Sequence, residues 1–248
     1  MAQLLKKETP EITVDTLAPP YSDYGFFENC DQLPFRYQAN LFTMVNAWWL
    51  IEASTLVYAD PQIAIETFKQ QAGFTEDVHF EEKVTQCLAA SNDKFAIVAF
   101  RGSEARLREG DPNPGYIYAD WLANFNFLPE EWDYGGKVHR GFKAALSEVW
   151  NALEAHLTKL QQNNLKIWVT GHSLGAALAT LAAHRYGNVQ GLYTFGSPRV
   201  GDQDFKHDFN INTYRFVNNS DIVTKVPPSN MYRHVGELRY IDSDGLIH

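Results

Sequence analysis

Short apolar runs alternate with helical patterns over the second half of the chain. The runs lie at residues 95–100, 166–169, 191–195 and 213–217. Runs of this length, apolar on both faces, are typical of buried parallel strands. Between them, apolar residues recur at helical spacing over 142–160, and a second helix is predicted over 174–186, ended by Gly187. The alternation predicts an α/β fold with a mostly parallel sheet flanked by helices.

The first part of the chain has a different pattern. Residues 1–38 are rich in proline and aromatic side chains, which predicts an extended N-terminal arm laid over the body of the protein. Helical spacing over 39–59 predicts a long helix, and Pro61 opens a second one that reaches about residue 71. We expect residues 1–248 to form a single domain with this arm attached.

Composition and charge narrow the class of protein. The 248 residues are 45% hydrophobic and carry 30 acidic against 21 basic side chains, a net charge of −9. An acidic balance disfavours nucleic-acid binding, which needs basic patches. Cys30 and Cys87 do not make a disulfide framework and indicate free thiols. With no signal peptide and no transmembrane segment in the sequence, a cytoplasmic location is expected.

A Gly-x-Ser-x-Gly motif occurs at residues 171–175. Such a motif arises by chance in many chains, so its setting decides its meaning. It follows the predicted strand at 166–169 and opens the predicted helix at Leu174, which is the strand–turn–helix setting of a nucleophile elbow. Ser173 would stand at the tight turn, above a helix N-terminus that favours developing negative charge.

The chain resembles the class 3 lipases, the fungal lipase-like group of α/β hydrolases. The pieces that match, in order, are Phe-Arg-Gly-Ser at 100–103, Asp-Trp-Leu-Ala-Asn-Phe-Asn-Phe at 120–127, Val-His-Arg-Gly-Phe at 138–142, Thr-Gly-His-Ser-Leu-Gly-Ala-Ala at 170–177, Thr-Phe-Gly-Ser-Pro-Arg-Val-Gly at 194–201, Asn-Ser-Asp-Ile-Val at 219–223 and Val-Pro-Pro at 226–228. They span residues 94–240 in the family's order and spacing. The resemblance implies an α/β-hydrolase fold with a lid and a serine ester hydrolase activity.

Site residues follow from the resemblance. It implies that Ser173 is the nucleophile, that Asp221 is the triad acid, and that Ser103 and Leu174 form the oxyanion hole. The residues themselves support part of this. Asp221 follows the strand at 213–217, where a carboxylate could face the elbow, although an exposed turn aspartate is the alternative. Ser103 follows the strand at 95–100, where α/β hydrolases place an oxyanion donor, although a turn serine is equally consistent with its position.

The stretch at 116–127 resembles the family's lid. Ile117, Trp121 and Phe125 repeat every four residues and would form an apolar stripe on a short helix. A lid uses such a stripe to cover the site in water and to meet lipid when open. The alternative is a helix packed permanently on the core. The insert at 104–115 is longer than expected for compact fungal members.

The general base is the least defined member of the triad. In this fold the order is serine, acid, histidine, and only His234 and His248 follow Asp221. In the resembled family the catalytic histidine belongs to a later C-terminal segment. We therefore expect the histidine to lie beyond residue 248, in a segment that this sequence lacks, with His234 as an in-chain fallback. His172 is expected to pack under the elbow, and His139 to brace the lid or the oxyanion loop.

Two functional hypotheses remain open at this level. The first is a serine carboxylic-ester hydrolase that acts on acyl glycerides at a lipid–water interface, with a phospholipase A1, a galactolipase or a short-chain esterase as enzymatic alternatives. The second is a non-catalytic lipid-binding or interaction protein on the same fold. Phosphate-loop, dinucleotide and zinc-protease motifs do not occur, so no cofactor and no metal are expected. The sequence does not indicate an oligomeric state.

Overall fold

The computed structural model describes residues 24–102 and 127–248. In chain order the helices are α1 (Met44–Leu56), α2 (Pro61–Gln70), α3 (Arg140–Gln162), α4 (Leu174–Tyr186) and α5 (Gln203–Asp208). The strands are β1 (Glu76–Glu82), β2 (Thr85–Ser91), β3 (Phe95–Phe100), β4 (Pro129–Glu131), β5 (Lys137–His139), β6 (Lys166–His172), β7 (Gly191–Phe195), β8 (Thr213–Asn218) and β9 (Glu237–Ile241). A 3-10 turn spans Val223–Lys225.

The central sheet is mostly parallel, as predicted. In the described residues its strands run in the order β1-β2-β3-β6-β7-β8-β9. Strands β3, β6, β7, β8 and β9 are parallel, while β1 and β2 add an antiparallel edge. The four predicted strands form its centre. Because their carboxyl ends lie at one edge of the sheet, the loops that follow β3, β6, β7 and β8 meet there.

Helices cover both faces of the sheet and bury it. On one face α1 packs on β3, β6 and β7, through side chains such as Trp49, Ile97 and Trp168. On the other face α3 and α4 cover the sheet, where Leu146 and Val169 belong to the same buried cluster. Every residue of β3 is buried, which explains why its sequence is apolar on both faces. The predicted α/β fold class is confirmed.

Capping residues set where the first helices begin. The sequence predicts a helix over 39–59, but α1 begins only at Met44, because the Thr43 side chain accepts a hydrogen bond from the Asn46 N–H at 3.1 Å. The α2 helix begins at Pro61, as predicted, with Asp60 as its cap. Sequence spacing therefore locates these helices, and the polar cap defines the first residue.

Residues 24–42 pack along α1 through specific hydrogen bonds. The Trp49 indole donates to the Leu33 carbonyl at 2.7 Å, and the Asn46 side-chain amide bonds both the N–H and the carbonyl of Arg36. The buried Phe27 ring contacts Trp49. In the predicted arm at 1–38, residues 1–23 lie outside the described residues. Residues 24–38 cover the helix mainly in turns.

Glu52 is a buried carboxylate that holds this segment on α1. It is 3% exposed, and it accepts hydrogen bonds from the Tyr24 hydroxyl and from the Phe27 N–H at 2.9 Å. Hydrogen bonds to a charged group stabilise more than neutral ones, and truncation leaves a buried N–H unpaired. We expect E52A to lower the free energy of unfolding by about 2–3 kcal/mol, measured by urea denaturation.

The matched control is Glu66 on the exposed side of α2, whose side chain accepts a hydrogen bond from the Gln62 side chain. E66A is expected to change the free energy of unfolding by less than about 0.5 kcal/mol. Equal effects of the two variants would show that the Glu52 contacts do not stabilise the N-terminal segment.

Candidate active site

Ser173 lies at a strained turn between β6 and α4. Its backbone has φ 55° and ψ −126°, a conformation that residues with a Cβ rarely adopt. The Ser173 N–H donates to the Phe195 carbonyl at 3.0 Å, which ties the turn to the end of β7. The side chain does not cap α4, so its hydroxyl is not used by the helix. This is the backbone geometry expected of a nucleophile elbow.

The two glycines of the motif allow this turn to pack tightly. A Cβ added to Gly171 would lie 2.3 Å from the Gly175 carbonyl oxygen. A Cβ added to Gly175 would lie 2.2 Å from the Phe100 carbonyl oxygen, at the end of β3. Both contacts are with backbone atoms, which cannot rotate away. Packing therefore requires glycine on each side of Ser173, and the motif has a structural cause.

Of the two predicted oxyanion donors, Leu174 lies at the same edge of the sheet as Ser173. Leu174 is the first residue of α4, so its backbone N–H has no partner within the helix and points to the turn. Ser103 lies outside the described residues, as do Ile117, Trp121 and Phe125 of the predicted lid. Ser173 itself is 3% exposed, so the site is shielded from bulk water.

Asp221 is held at the neighbouring strand end. Its Oδ1 accepts the Val223 N–H at 2.9 Å, and its own N–H donates to the Asn218 carbonyl at 3.0 Å. Burial raises the pKa of the carboxyl above its ordinary value, while the Val223 N–H and Lys225 act in the opposite direction. Oδ2 has no hydrogen bond to any described residue. That oxygen is thus available to a further donor.

Gly196 connects Asp221 to the elbow. Its φ is +59°, and a Cβ there would lie 2.9 Å from Asp221 Oδ2 and 3.5 Å from His172 Nε2. Gly196 directly follows Phe195, whose carbonyl binds the Ser173 N–H. The structure therefore brings the predicted nucleophile and the predicted acid together at the end of β7.

Two histidines near the elbow are half-buried and have lowered pKa values. Burial lowers the pKa of His172 to about 4, and its Nδ1 lies 3.1 Å from the Tyr58 hydroxyl. Burial, with the charge of Arg215 as the next cause, lowers the pKa of His234 to about 3. His234 Nε2 lies 2.8 Å from the Thr224 carbonyl oxygen. His234 is therefore engaged by the loop backbone and not by the Asp221 carboxylate.

The remaining candidate histidines have structural contacts elsewhere. His139 caps α3, since its Nδ1 accepts the Phe142 N–H at 3.3 Å, and its ring packs against Phe142 and Tyr232. His248 lies 2.6 Å from the Asp242 carboxylate. His139 thus caps a helix, and the predicted bracing of the lid or oxyanion loop involves segments outside the described residues. His248 pairs with the Asp242 carboxylate.

Apolar side chains are exposed next to these loops. Ile222, directly after Asp221, is 57% exposed. The Tyr232 hydroxyl donates to the Phe127 carbonyl at 3.0 Å, and the residues next to this contact, Leu128 and Met231, are also exposed. Among the helices of the described ranges, none combines the length and apolar character needed to cross a bilayer.

The described geometry defines an α/β hydrolase with a nucleophile elbow. More particularly, the chain belongs to the class 3 lipase family, whose model, described as lipase (class 3), matches residues 97–231. A secreted mono- and diacylglycerol lipase of Fusarium solani is 38% identical over 138 residues, which cover 51% of this chain and 41% of that protein. A lipase of Rhizomucor miehei is 35% identical and matches 63% of this chain and 45% of that protein.

Solved structures agree with the family. The native propeptide complex of Rhizomucor miehei lipase superposes with a TM-score of 0.58 at 30% identity, over 69% of this chain and 58% of that chain. The chain spans less than half the length of these two curated relatives.

The expected cytoplasmic location is wrong. The Fusarium solani relative is a secreted enzyme, which points away from the cytoplasm for this family. Cys30 and Cys87 are free thiols, as predicted. Two free thiols are compatible with either compartment, so they do not indicate a reducing one.

Proposed function

We propose that this chain carries the nucleophile, the acid and the oxyanion donors of a serine hydrolase that cleaves carboxylic esters of acyl glycerides. Ser173 is the nucleophile, Asp221 the triad acid, and Leu174 with Ser103 the oxyanion hole. One observation carries the proposal: a serine at a strained strand–helix turn is hydrogen-bonded to the end of β7, where the next residue, Gly196, lies against the partly buried Asp221 carboxylate.

The chemistry follows from this arrangement. Ser173 Oγ attacks the ester carbonyl carbon while a histidine takes its proton, and the carbonyl oxygen becomes an oxyanion. The N–H of Leu174 and a donor from Ser103 stabilise that charge, and the helix N-terminus adds to it. Collapse expels the alcohol, which takes the proton from the histidine. Water then attacks the acyl-enzyme by the same route and releases the acid.

We place the general base outside the 248 residues. All eight histidines of the sequence lie in the described ranges. His172 and His234, the two that adjoin the site, are half-buried, have lowered pKa values, and contact the Tyr58 hydroxyl and the Thr224 carbonyl oxygen. His234 remains the fallback within the chain. A base from elsewhere would meet Asp221 Oδ2, the oxygen that no described residue binds.

The substrate class rests on apolar surface and on the relatives. Ile222, Leu128 and Met231 expose apolar side chains next to the loops that carry the site. The Fusarium solani relative is a mono- and diacylglycerol lipase. Because Ser173 is buried, an acyl glyceride reaches it only after a covering segment moves, and the lid proposed at 116–127 would be that segment.

Interfacial preference tests this function in the full natural protein. We expect faster hydrolysis of an emulsified diacylglycerol than of a dissolved short-chain ester, because the interface favours exposure of the apolar surface around the site. Titration of released acid above and below the solubility limit of one ester measures it. Equal rates would contradict a lipid substrate. Hydrolysis of neither ester would favour the non-catalytic, lipid-binding alternative.

A further inference from the structure

Tyr58 comes from the face of the sheet that α1 covers, and its hydroxyl reaches the elbow. It lies just after α1, where its N–H donates to the Thr55 carbonyl at 3.1 Å and closes the last helical turn. Its ring lies against His172, with centroids 6.0 Å apart, and the Arg101 guanidinium lies over the same ring, 5.8 Å from its centroid. Tyr58 is thus one point where the layer on the α1 face of the sheet touches the candidate active site.

The Tyr58 hydroxyl contacts the residue that precedes the nucleophile. Its oxygen lies 3.1 Å from His172 Nδ1 and 3.5 Å from the His172 carbonyl oxygen. The His172 ring is neutral, and its Nε2 faces the same point above Gly196 as the Asp221 carboxylate. The hydroxyl oxygen is within hydrogen-bonding distance of both the ring and the backbone of His172.

The same hydroxyl contacts the residue that precedes the second predicted oxyanion donor. A Cβ on Gly102 would lie only 2.0 Å from the Tyr58 oxygen and 2.8 Å from the His172 carbonyl oxygen. The Gly102 backbone therefore rests directly on the hydroxyl. Gly102 precedes Ser103, and His172 is separated from Leu174 only by Ser173, so one oxygen supports both backbone segments from which the oxyanion donors are proposed to come.

We propose that Tyr58 is a positioning residue that fixes the backbone of the elbow, and with it the Leu174 N–H, against the end of β3 at Gly102. This rests on the proposed hydrolase function. Oxyanion donors act only when both are fixed at the place where charge develops, and small displacements of such groups are costly in rate. Tyr58 does not touch the reacting atoms. It acts through the backbone at Gly102 and through His172.

Y58F in the full natural protein tests the proposal. We expect kcat for a dissolved short-chain ester to fall between about tenfold and a hundredfold with KM nearly unchanged. An alkylboronic acid, which forms a tetrahedral anion on the nucleophile, should bind more weakly by the same factor as kcat/KM. A loss of stability alone would not move inhibitor affinity and kcat together in this way.

Tyr193 provides the matched control. Its hydroxyl is buried and accepts the Thr43 N–H at 3.1 Å, away from the elbow. Y193F should lower the melting temperature at least as much as Y58F, because the partly buried Thr43 N–H loses its partner, and should leave kcat unchanged.

The outcomes separate the two proposals. If the wild-type protein is active and Y58F has the same kcat and the same boronate affinity, the positioning role is overturned while the hydrolase function stands. A Y58F variant that loses kcat but keeps boronate affinity also overturns it, since the oxyanion donors are then unaffected. If the wild-type protein neither hydrolyses esters nor binds the boronate, the hydrolase function fails first.

Discussion

Replacing Ser173 with alanine is expected to lower kcat for ester hydrolysis by about 10⁶-fold. The variant keeps the turn and the oxyanion donors, and it loses only the atom that forms the acyl-enzyme. A fluorophosphonate probe should also stop labelling the protein. The adduct is expected on the tryptic peptide 167–185, in which Ser173 is the only serine.

The same position tests whether the turn stores strain. At φ 55° and ψ −126° any side chain is strained, by about 1–3 kcal/mol, whereas glycine is not. Glycine also makes the unfolded chain more flexible, which costs about 0.4–1 kcal/mol. S173G should therefore be inactive yet more stable than S173A by about 1 kcal/mol, measured as the free energy of unfolding in urea.

Ser197 is the matched control for both effects. It is buried, its φ is not positive, and its hydroxyl donates to the Pro198 carbonyl at 2.9 Å. S197A should keep the probe labelling. S197G should be less stable than S197A, because glycine makes the unfolded chain more flexible and there is no backbone strain at Ser197 for it to remove. Probe labelling of S173A, or an S173G variant no more stable than S173A, would contradict the elbow assignment.

The centre of the fold was predictable because its signals are local. The apolar runs give β3, β6, β7 and β8 close to their observed bounds, and α4 has the predicted bounds because Gly187 ends it in a left-handed conformation. The outer strands were missed. Six of the seven residues of β1 are exposed or half-buried, and β9 has no fully buried residue, so neither forms an apolar run.

The site was predictable only in part, for a related reason. Motifs identify Ser173 and Asp221, since each follows a recognisable strand. The contacts that join them are made between separate strand ends. Nothing local indicates that Gly196 lies under the Asp221 carboxylate, or that the Tyr58 hydroxyl reaches His172 across 114 positions of sequence. The register of four neighbouring strands brings these residues together.

Replacing Asp221 with asparagine is expected to lower activity without lowering stability. D221N should lower kcat by about 10⁴-fold, because the amide cannot hold a histidine in the required tautomer or stabilise its charged form. The amide oxygen can still accept the Val223 N–H that now bonds Oδ1, so the loop should keep its conformation. Activity would be measured on a dissolved ester, to separate the chemistry from binding to an interface.

The stability effect follows from the direction of the pKa shift. Burial raises the pKa of Asp221, so the folded protein binds a proton more tightly than the unfolded chain does. This group therefore costs stability at neutral pH, and the cost disappears as the pH falls through the folded pKa. D221N removes the charge, so it should be at least as stable as wild type at neutral pH. Its advantage should shrink in mildly acidic buffer.

Asp242 is the control with the opposite sign. It is half-buried, and its pKa is lowered, first by its hydrogen bond with His248 and then by the Leu246 N–H. A lowered pKa stabilises the fold above the ordinary carboxyl pKa and is lost as the pH falls. D242N should therefore lose stability at neutral pH and keep its kcat. If D221N unfolds more readily than wild type at neutral pH, the Asp221 charge stabilises the fold, which contradicts this prediction.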